Sequence, residues 1–211
     1  MDKGCRGIVL LAGGESRRMG QDKWMLQAGE TSILERIISV LYPLGAELWI
    51  IAAGFDELNN PAKFPDFTAR LPNLHTTYDT SKNIGPLAGI AAGLAHSVQP
   101  YSLVSATDMP FPSQALVEAL FELCLKPEVQ AAVPEYNGRL HPLFAVYRRD
   151  CLASLTTYIE GGGRRVIDWL QTLNFAILAD KQIKQLDPLG TALFNMNYRE
   201  DYEQALKLLE D

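Results

Sequence analysis

Apolar residues in this chain fall into short unbroken runs that alternate with stretches of helical spacing. Residues 7–11 (GIVLL) and 48–53 (LWIIAA) are continuous and rich in branched side chains, the pattern of parallel strands covered on both faces. Between them, Ser32 and Glu35 form a capping box, and Ile33, Leu34, Ile37, Ile38 and Leu41 make one apolar stripe that Pro43 and Gly45 end. Residues 59–67 are rich in Asn, Pro and Asp and read as a loop. A third strand is predicted at 75–79 (HTTYD), before a polar loop at 80–85. Pro86 suits the first turn of a helix carrying Ile90 and Leu94. A strand at 102–106 leads to a helix capped by Ser113 and lined by Leu116, Leu120 and Leu123. Strands at 131–134 and 143–147 flank the hairpin signal Asn137-Gly138. Helices follow around 152–159 and 165–173, then a strand at 175–178 and a last helix at 199–209.

Strands and helices in alternation predict an α/β fold: a three-layer, Rossmann-like, mainly parallel sheet with helices on both faces. No internal repeat, low-complexity tract or linker divides the 211 residues, so one domain over 1–211 is expected. Composition changes the picture only at the surface. The formal net charge is -6, which argues against a broad grip on nucleic acid or anionic membrane. Positive charge is nonetheless gathered at Arg17, Arg18 and Lys23 and again at Arg164 and Arg165, a distribution that fits a small anionic ligand. Cys5, Cys124 and Cys151 are odd in number and share no metal or disulfide spacing, as expected of thiols in a reducing cytosol. There is no signal-peptide pattern and no apolar run near the roughly 18 residues of a membrane helix, so a soluble, cytoplasmic protein is expected.

The chemistry is concentrated in residues 11–23, LAGGESRRMGQDK, directly after the first strand. Glycines let backbone N–H groups converge on phosphate oxygens, and the nearby cations add charge. The spacing is not that of a Walker A loop, because five residues separate Gly14 from Gly20 and Gln21 follows. Nor is it the dinucleotide fingerprint, since Gly13 and Gly14 are adjacent. The loop is long enough to wrap a triphosphate side-on; its alternative role is a charged surface turn. Asp108, in ATDMPF, stands where a strand ends, the edge at which open α/β sheets bind ligands. A carboxylate beside phosphates implies a hard cation between them, with Mg²⁺ the usual choice; a simple turn aspartate is the other reading. His75, His96 and His141 share no metal spacing, and no serine-hydrolase or zinc-protease motif occurs. Phosphoryl or nucleotidyl transfer, which depends on positioning and charge neutralisation, remains open.

These motifs together resemble a known family. LAGGESRRMGQDK is similar to the nucleotidyltransferase signature L-A-G-G-x-S-x-R-M-G-x-D-K. GPLAGI (85–90), TDMPF (107–111), HPLFAVYRR (141–149), GGRRV (162–166) and FNMN (194–197) resemble the molybdenum cofactor guanylyltransferases of the MobA type. The resemblance implies transfer of GMP from GTP to the terminal phosphate of molybdenum-molybdopterin, with pyrophosphate released and Mg²⁺ as cofactor. It implies that Leu11, Ala12, Gly13 and Gly14 line the GTP site, that Lys23 and Arg17 face the triphosphate, and that Asp79 contacts the nucleoside. It assigns Asp108 to GTP and Mg²⁺, and Arg164, Arg165, Asn195 and Asn197 to molybdopterin; a solvated helix start is the other reading of the two arginines. Molybdenum-insertion and molybdoenzyme maturation proteins would be further partners. Two departures stand out: IIAAGFD lacks the family's asparagine after the second strand, and Tyr198-Arg199 replaces the Thr-Pro that follows N-x-N. A phosphate monoester with a second pKa of about 6 is mostly dianionic at neutral pH, so the nucleophile needs little help from a base. The rivals are a CTP-dependent transferase on the same cofactor, a transferase acting on a sugar or alditol phosphate, a non-catalytic GTP-binding regulator and, last, a dinucleotide-dependent oxidoreductase.

Overall fold

The computed structural model describes residues 2–13, 26–52, 71–78 and 84–210. The strands in chain order are β1 (Arg6–Ala12), β2 (Gln27–Ala28), β3 (Thr31–Ser32), β4 (Glu47–Ala52), β5 (Leu74–Tyr78), β6 (Tyr101–Ala106), β7 (Ala131–Tyr136), β8 (Arg139–Leu140), β9 (Phe144–Arg148) and β10 (Phe175–Leu178). The helices are α1 (Ile33–Leu41), α2 (Pro86–His96), α3 (Gln114–Leu123), α4 (Cys151–Glu160), α5 (Val166–Leu170), α6 (Asp180–Leu186) and α7 (Arg199–Glu210).

β1 is buried along its whole length because it lies mid-sheet, paired in parallel with β4 on one side and β6 on the other. The strand order is β10-β7-β9-β6-β1-β4-β5, with β8 attached to β7. β9 runs antiparallel to both β6 and β7, and β10 is parallel to β7, so the long strands share one direction apart from β9. The mainly parallel sheet read from the sequence is present. Successive residues of β1 alternate between two apolar layers: Ile8 and Leu10 join α1, α3, α6 and α7, while Val9 and Leu11 join α2, α4 and α5.

Local signals explain most boundaries. Ser32 Oγ accepts from Glu35 N at 3.2 Å, and Glu35 Oε2 accepts from Ser32 N at 2.7 Å, which completes the expected capping box of α1. Ser113 Oγ accepts from Leu116 N at 3.3 Å and starts α3. Three features differ from expectation. Asn137 (φ 50°) and Gly138 (φ 71°) do form a tight turn, but its second strand is the short β8. β9 begins only after a further turn and takes its place between β7 and β6. The second strand of the expected hairpin is thus two strands, because β8 ends where His141 N donates back to Pro134 O at 2.9 Å. The β2–β3 hairpin and α6 were not anticipated. Each strand of that hairpin has two residues, too few to show alternation, and α6 buries only Ile183 fully.

The orientation of α2 fixes the functional edge. A Cβ placed on Gly89 would lie 2.9 Å from Leu11 Cδ2, and one on Gly93 would overlap Val9 Cγ1. Helix and strand therefore touch through positions where no side chain fits. The contact moves from Leu11 to Val9 as α2 advances, so α2 runs antiparallel to β1 and its N-terminus projects past the carboxyl end of that strand. At the opposite edge, Ser97 Oγ donates to Glu47 Oε1 at 2.6 Å and pins the far end of α2 to β4. Gly93→Ala should cost about 1–3 kcal/mol, because the added methyl pushes α2 off β1. Urea unfolding measures this as a lower midpoint with an unchanged slope.

Candidate active site

The sequence left open whether the glycine loop and Asp108 face one crevice. The link is Thr107. Its N–H donates to Leu11 O at 3.2 Å and its hydroxyl donates to the same oxygen at 3.1 Å. Thr107 is buried, so the two bonds form in a low-dielectric setting where leaving the carbonyl unpaired would be costly. They fasten the turn that carries half-buried Asp108 to the last residues of β1, where Leu11 and Ala12 are buried and Gly13 is exposed. Leu11, Ala12, Gly13 and Asp108 are thus brought to the same carboxyl edge. Gly14, Arg17, Lys23 and Asp79 lie outside the described residues, as does Gly54, the position nearest the missing family asparagine.

The chain's last segment closes one side of this edge. Met196, fully buried, donates its N–H to Asp108 O at 2.9 Å. The rings of Phe111 and Phe194 pack at 6.3 Å, tilted by 53°. These two contacts hold half-buried Asn195 and exposed Asn197 beside Asp108. Asp201, in the first turn of α7, accepts from Asn197 N at 2.7 Å and from Tyr198 N at 2.8 Å. A third-position acid satisfying the donors ahead of a helix is half of a capping box.

On the other face, α2 presents its N-terminus at the same edge. Gly85, at φ 67°, precedes Pro86 and has no side chain to cap the first turn. Helix N-termini carry partial positive charge, so this end favours an anion. α4 starts at the far edge, where Arg149 N donates to Pro100 O at 2.9 Å, so its end and the 161–165 turn return toward the carboxyl edge. Arg164 donates to Gly163 O at 2.7 Å and to Ile159 O at 3.4 Å, capping the carbonyl end of α4. Arg165 pairs with Asp168 at 3.3 Å while remaining 73% exposed. At that exposure the pair is worth little, and Arg165 can turn to a stronger anion.

His141 also lies at this edge, half-buried between β8 and β9. Burial lowers its pKa below 6.5, with Arg139 adding to the effect and a bond with the Tyr136 backbone opposing it. It is neutral at physiological pH. His75 and His96 lie elsewhere, stacked on Trp49 at 4.6 and 5.0 Å. Burial pushes the Cys124 and Cys151 thiols up to about 12, so neither offers a thiolate nucleophile. Among the described residues no group of three or more His, Cys, Asp or Glu side chains could hold a metal ion. A single carboxylate completed by phosphate oxygens and water is the arrangement Mg²⁺ commonly accepts, and Asp108 fits it. Thr107 and Asp201 escaped the sequence reading. Asp201 had a signal, an acid three residues into a helix, but the bond of Thr107 crosses 96 positions and had none.

A parallel strand opening into a glycine- and cation-rich loop, with a carboxylate at the end of the neighbouring strand, defines a nucleotidyltransferase-type α/β site. Residues 8–174 match the model of the MobA-like NTP transferase domain, and the chain belongs to that family. Relatives named probable molybdenum cofactor guanylyltransferase include one from Pelotomaculum thermopropionicum, 32% identical, with 96% of this chain and 93% of the relative covered. Another, from Chloroflexus aggregans, is 33% identical over 96% and 92% of the two chains. A solved structure of molybdopterin-guanine dinucleotide biosynthesis protein A from Archaeoglobus fulgidus superposes with a TM-score of 0.81 at 23% identity, covering 97% of this chain and 98% of the other. A Thermus thermophilus 2-C-methyl-D-erythritol 4-phosphate cytidylyltransferase superposes at 0.67 and 19% identity, covering 96% and 98%. A Mycobacterium tuberculosis structure in complex with manganese does so at 0.60 and 14%, covering 97% and 98%. Among the described residues no helix is long and apolar enough to cross a membrane.

The depressed His141 pKa has a consequence for stability. The unfolded chain binds a proton near pH 6.5 that the folded chain resists, so this contribution is complete above 6.5 and is lost as the pH falls below it. Denaturation midpoints should decline as the pH falls below 6.5, and His141→Gln should flatten that slope.

Proposed function

We propose that residues 1–211 act as one nucleotidyltransferase domain that transfers GMP from GTP to the terminal phosphate of molybdenum-molybdopterin, releasing pyrophosphate. The observation that carries this reading is the pair of hydrogen bonds from Thr107 to Leu11 O, at 3.2 and 3.1 Å, which makes the Asp108 turn and the start of the glycine loop one surface. The identity of about a third to relatives bearing the guanylyltransferase name supports the choice of substrates.

The central difficulty of such a transfer is electrostatic, because two polyanions must come within bonding distance. The chain answers with charge and placement. Leu11, Ala12, Gly13 and Gly14 offer backbone to the nucleotide, while Lys23 and Arg17 offset the triphosphate charge. Asp79 contacts the nucleoside. Asp108 would hold Mg²⁺, which when bound neutralises phosphate charge on the triphosphate and on the departing pyrophosphate. Asn195 and Asn197, fixed beside Asp108, would orient molybdopterin from the α7 side, with Arg164 and Arg165 approaching from the α4 side. No general base is required, since the attacking phosphate is already largely dianionic. A neutral His141 and two inert buried thiols are compatible with that. The cytoplasm is the proposed compartment, with molybdenum-insertion and molybdoenzyme maturation proteins as partners.

Incubation with GTP, Mg²⁺ and molybdopterin should yield the guanine dinucleotide and pyrophosphate in equal amounts, and CTP should not replace GTP. Asp108→Ala should abolish turnover, a loss of at least about 10³-fold, by removing the charge-organising carboxylate. The bonds that tie this turn to Leu11 and Met196 use Thr107 and the Asp108 backbone carbonyl, and a circular dichroism spectrum and melting temperature of the variant check that its fold persists. Near-normal turnover in that variant would remove Asp108 from the mechanism.

A further inference from the structure

α7 begins with two residues that each hold a different part of the carboxyl edge. Asp201 Oδ2 accepts from Asn197 N and Tyr198 N at 2.7 and 2.8 Å. This fixes the segment whose Met196 N–H reaches Asp108 O at 2.9 Å. Tyr202, the next residue, donates its hydroxyl to Gln27 O at 2.7 Å. Gln27 opens the β2–β3 hairpin, which is tied to α1 by Ile33 N donating to Leu26 O at 2.9 Å. Phe194 packs on Phe111, three residues past Asp108, so the segment is held on both sides of the Met196 bond.

We propose that Asp201 and Tyr202 are positioning residues for the transfer. Asp201 sets where Asn195 and Asn197 stand relative to Asp108, and Tyr202 locks the same helix to the hairpin that follows the signature loop in the chain. The carboxylate is suited to the task because one charged oxygen can accept from two adjacent amides, and charge-assisted bonds are about twice as strong as neutral ones. Neither side chain acts on substrate directly. Each acts through the backbone it holds, and a displacement of about 1 Å at reacting groups costs on the order of 10²-fold in rate.

The inference rests on the guanylyl-transfer reading, and the two are tested separately. If the wild-type chain makes no guanine dinucleotide from GTP and molybdopterin, the reading fails whatever the variants do. With an active wild type, Asp201→Ala should lower kcat by about 10- to 100-fold while KM for GTP stays within about threefold. Asp201→Asn keeps an acceptor oxygen and should recover most of that loss. Tyr202→Phe, which removes one hydroxyl and keeps the ring, should lower kcat by about three- to tenfold. Amide exchange at residues 196–198 should quicken in Asp201→Ala alone. A wild-type kcat in Asp201→Ala, or rate losses that only follow the melting temperature across the series, overturns the proposal. Should Asp201→Ala fail to fold, a wild-type kcat in Tyr202→Phe does the same.

Discussion

Two hydrogen bonds to one oxygen organise the functional edge of this protein. Leu11 stands at the end of the pairing between β1 and β6, and Thr107, just past β6, fills both acceptor positions of its carbonyl. A carbonyl at a buried strand end must find donors, and here they come from the residue just before Asp108. The constraint is local in space and distant in sequence. It converts two separate strand ends into one lip, against which the rest of the edge is built.

The remaining parts reach that lip by different physical means. α2 arrives by the lack of side chains, since Gly89 and Gly93 let it lie directly on Leu11 and Val9. The asparagine segment arrives by backbone bonding, through Met196 and Asp108. The arginine turn arrives by helix length, because α4 climbs from the far edge of the sheet to the near one. A site assembled from both faces of a sheet can separate its two ligands. On the proposed reading, the α2 and β1 termini would serve one anion, and the α7 and α4–α5 segments would approach from the sides where a second would sit.

The chemistry expected of such a site is economical in side chains. Nucleotidyl transfer between phosphates depends on neutralisation and alignment more than on proton transfer. The described residues agree with that demand in character: a neutral histidine, two thiols pushed up by burial, and a half-buried carboxylate held by its own backbone. At the Tyr198-Arg199 departure from Thr-Pro, Asp201 satisfies the amides of Asn197 and Tyr198 ahead of the helix.

The sequence by itself determined the class of fold and the identity of the motif. Short unbroken apolar runs rich in branched residues read as buried strands, the Ser32–Glu35 box and Ser113 announce helix starts through contacts within four residues, and glycines beside cations read as an anion site. It did not determine the β2–β3 hairpin, whose two-residue strands show no alternation, or α6, which buries only Ile183 and so carries no apolar stripe. The strands read on either side of the Asn137-Gly138 turn do pair, as β7 and β9, but the short β8 between them was not legible, because turn chemistry fixes only the adjoining residues. Tertiary structure alone decided that β9 would be inserted between β6 and β7, that Thr107 would meet Leu11, and that Asp201 would hold Asn197 near Asp108. These are choices of pairing between remote backbone donors and acceptors, which every residue carries alike, so no residue type advertises them.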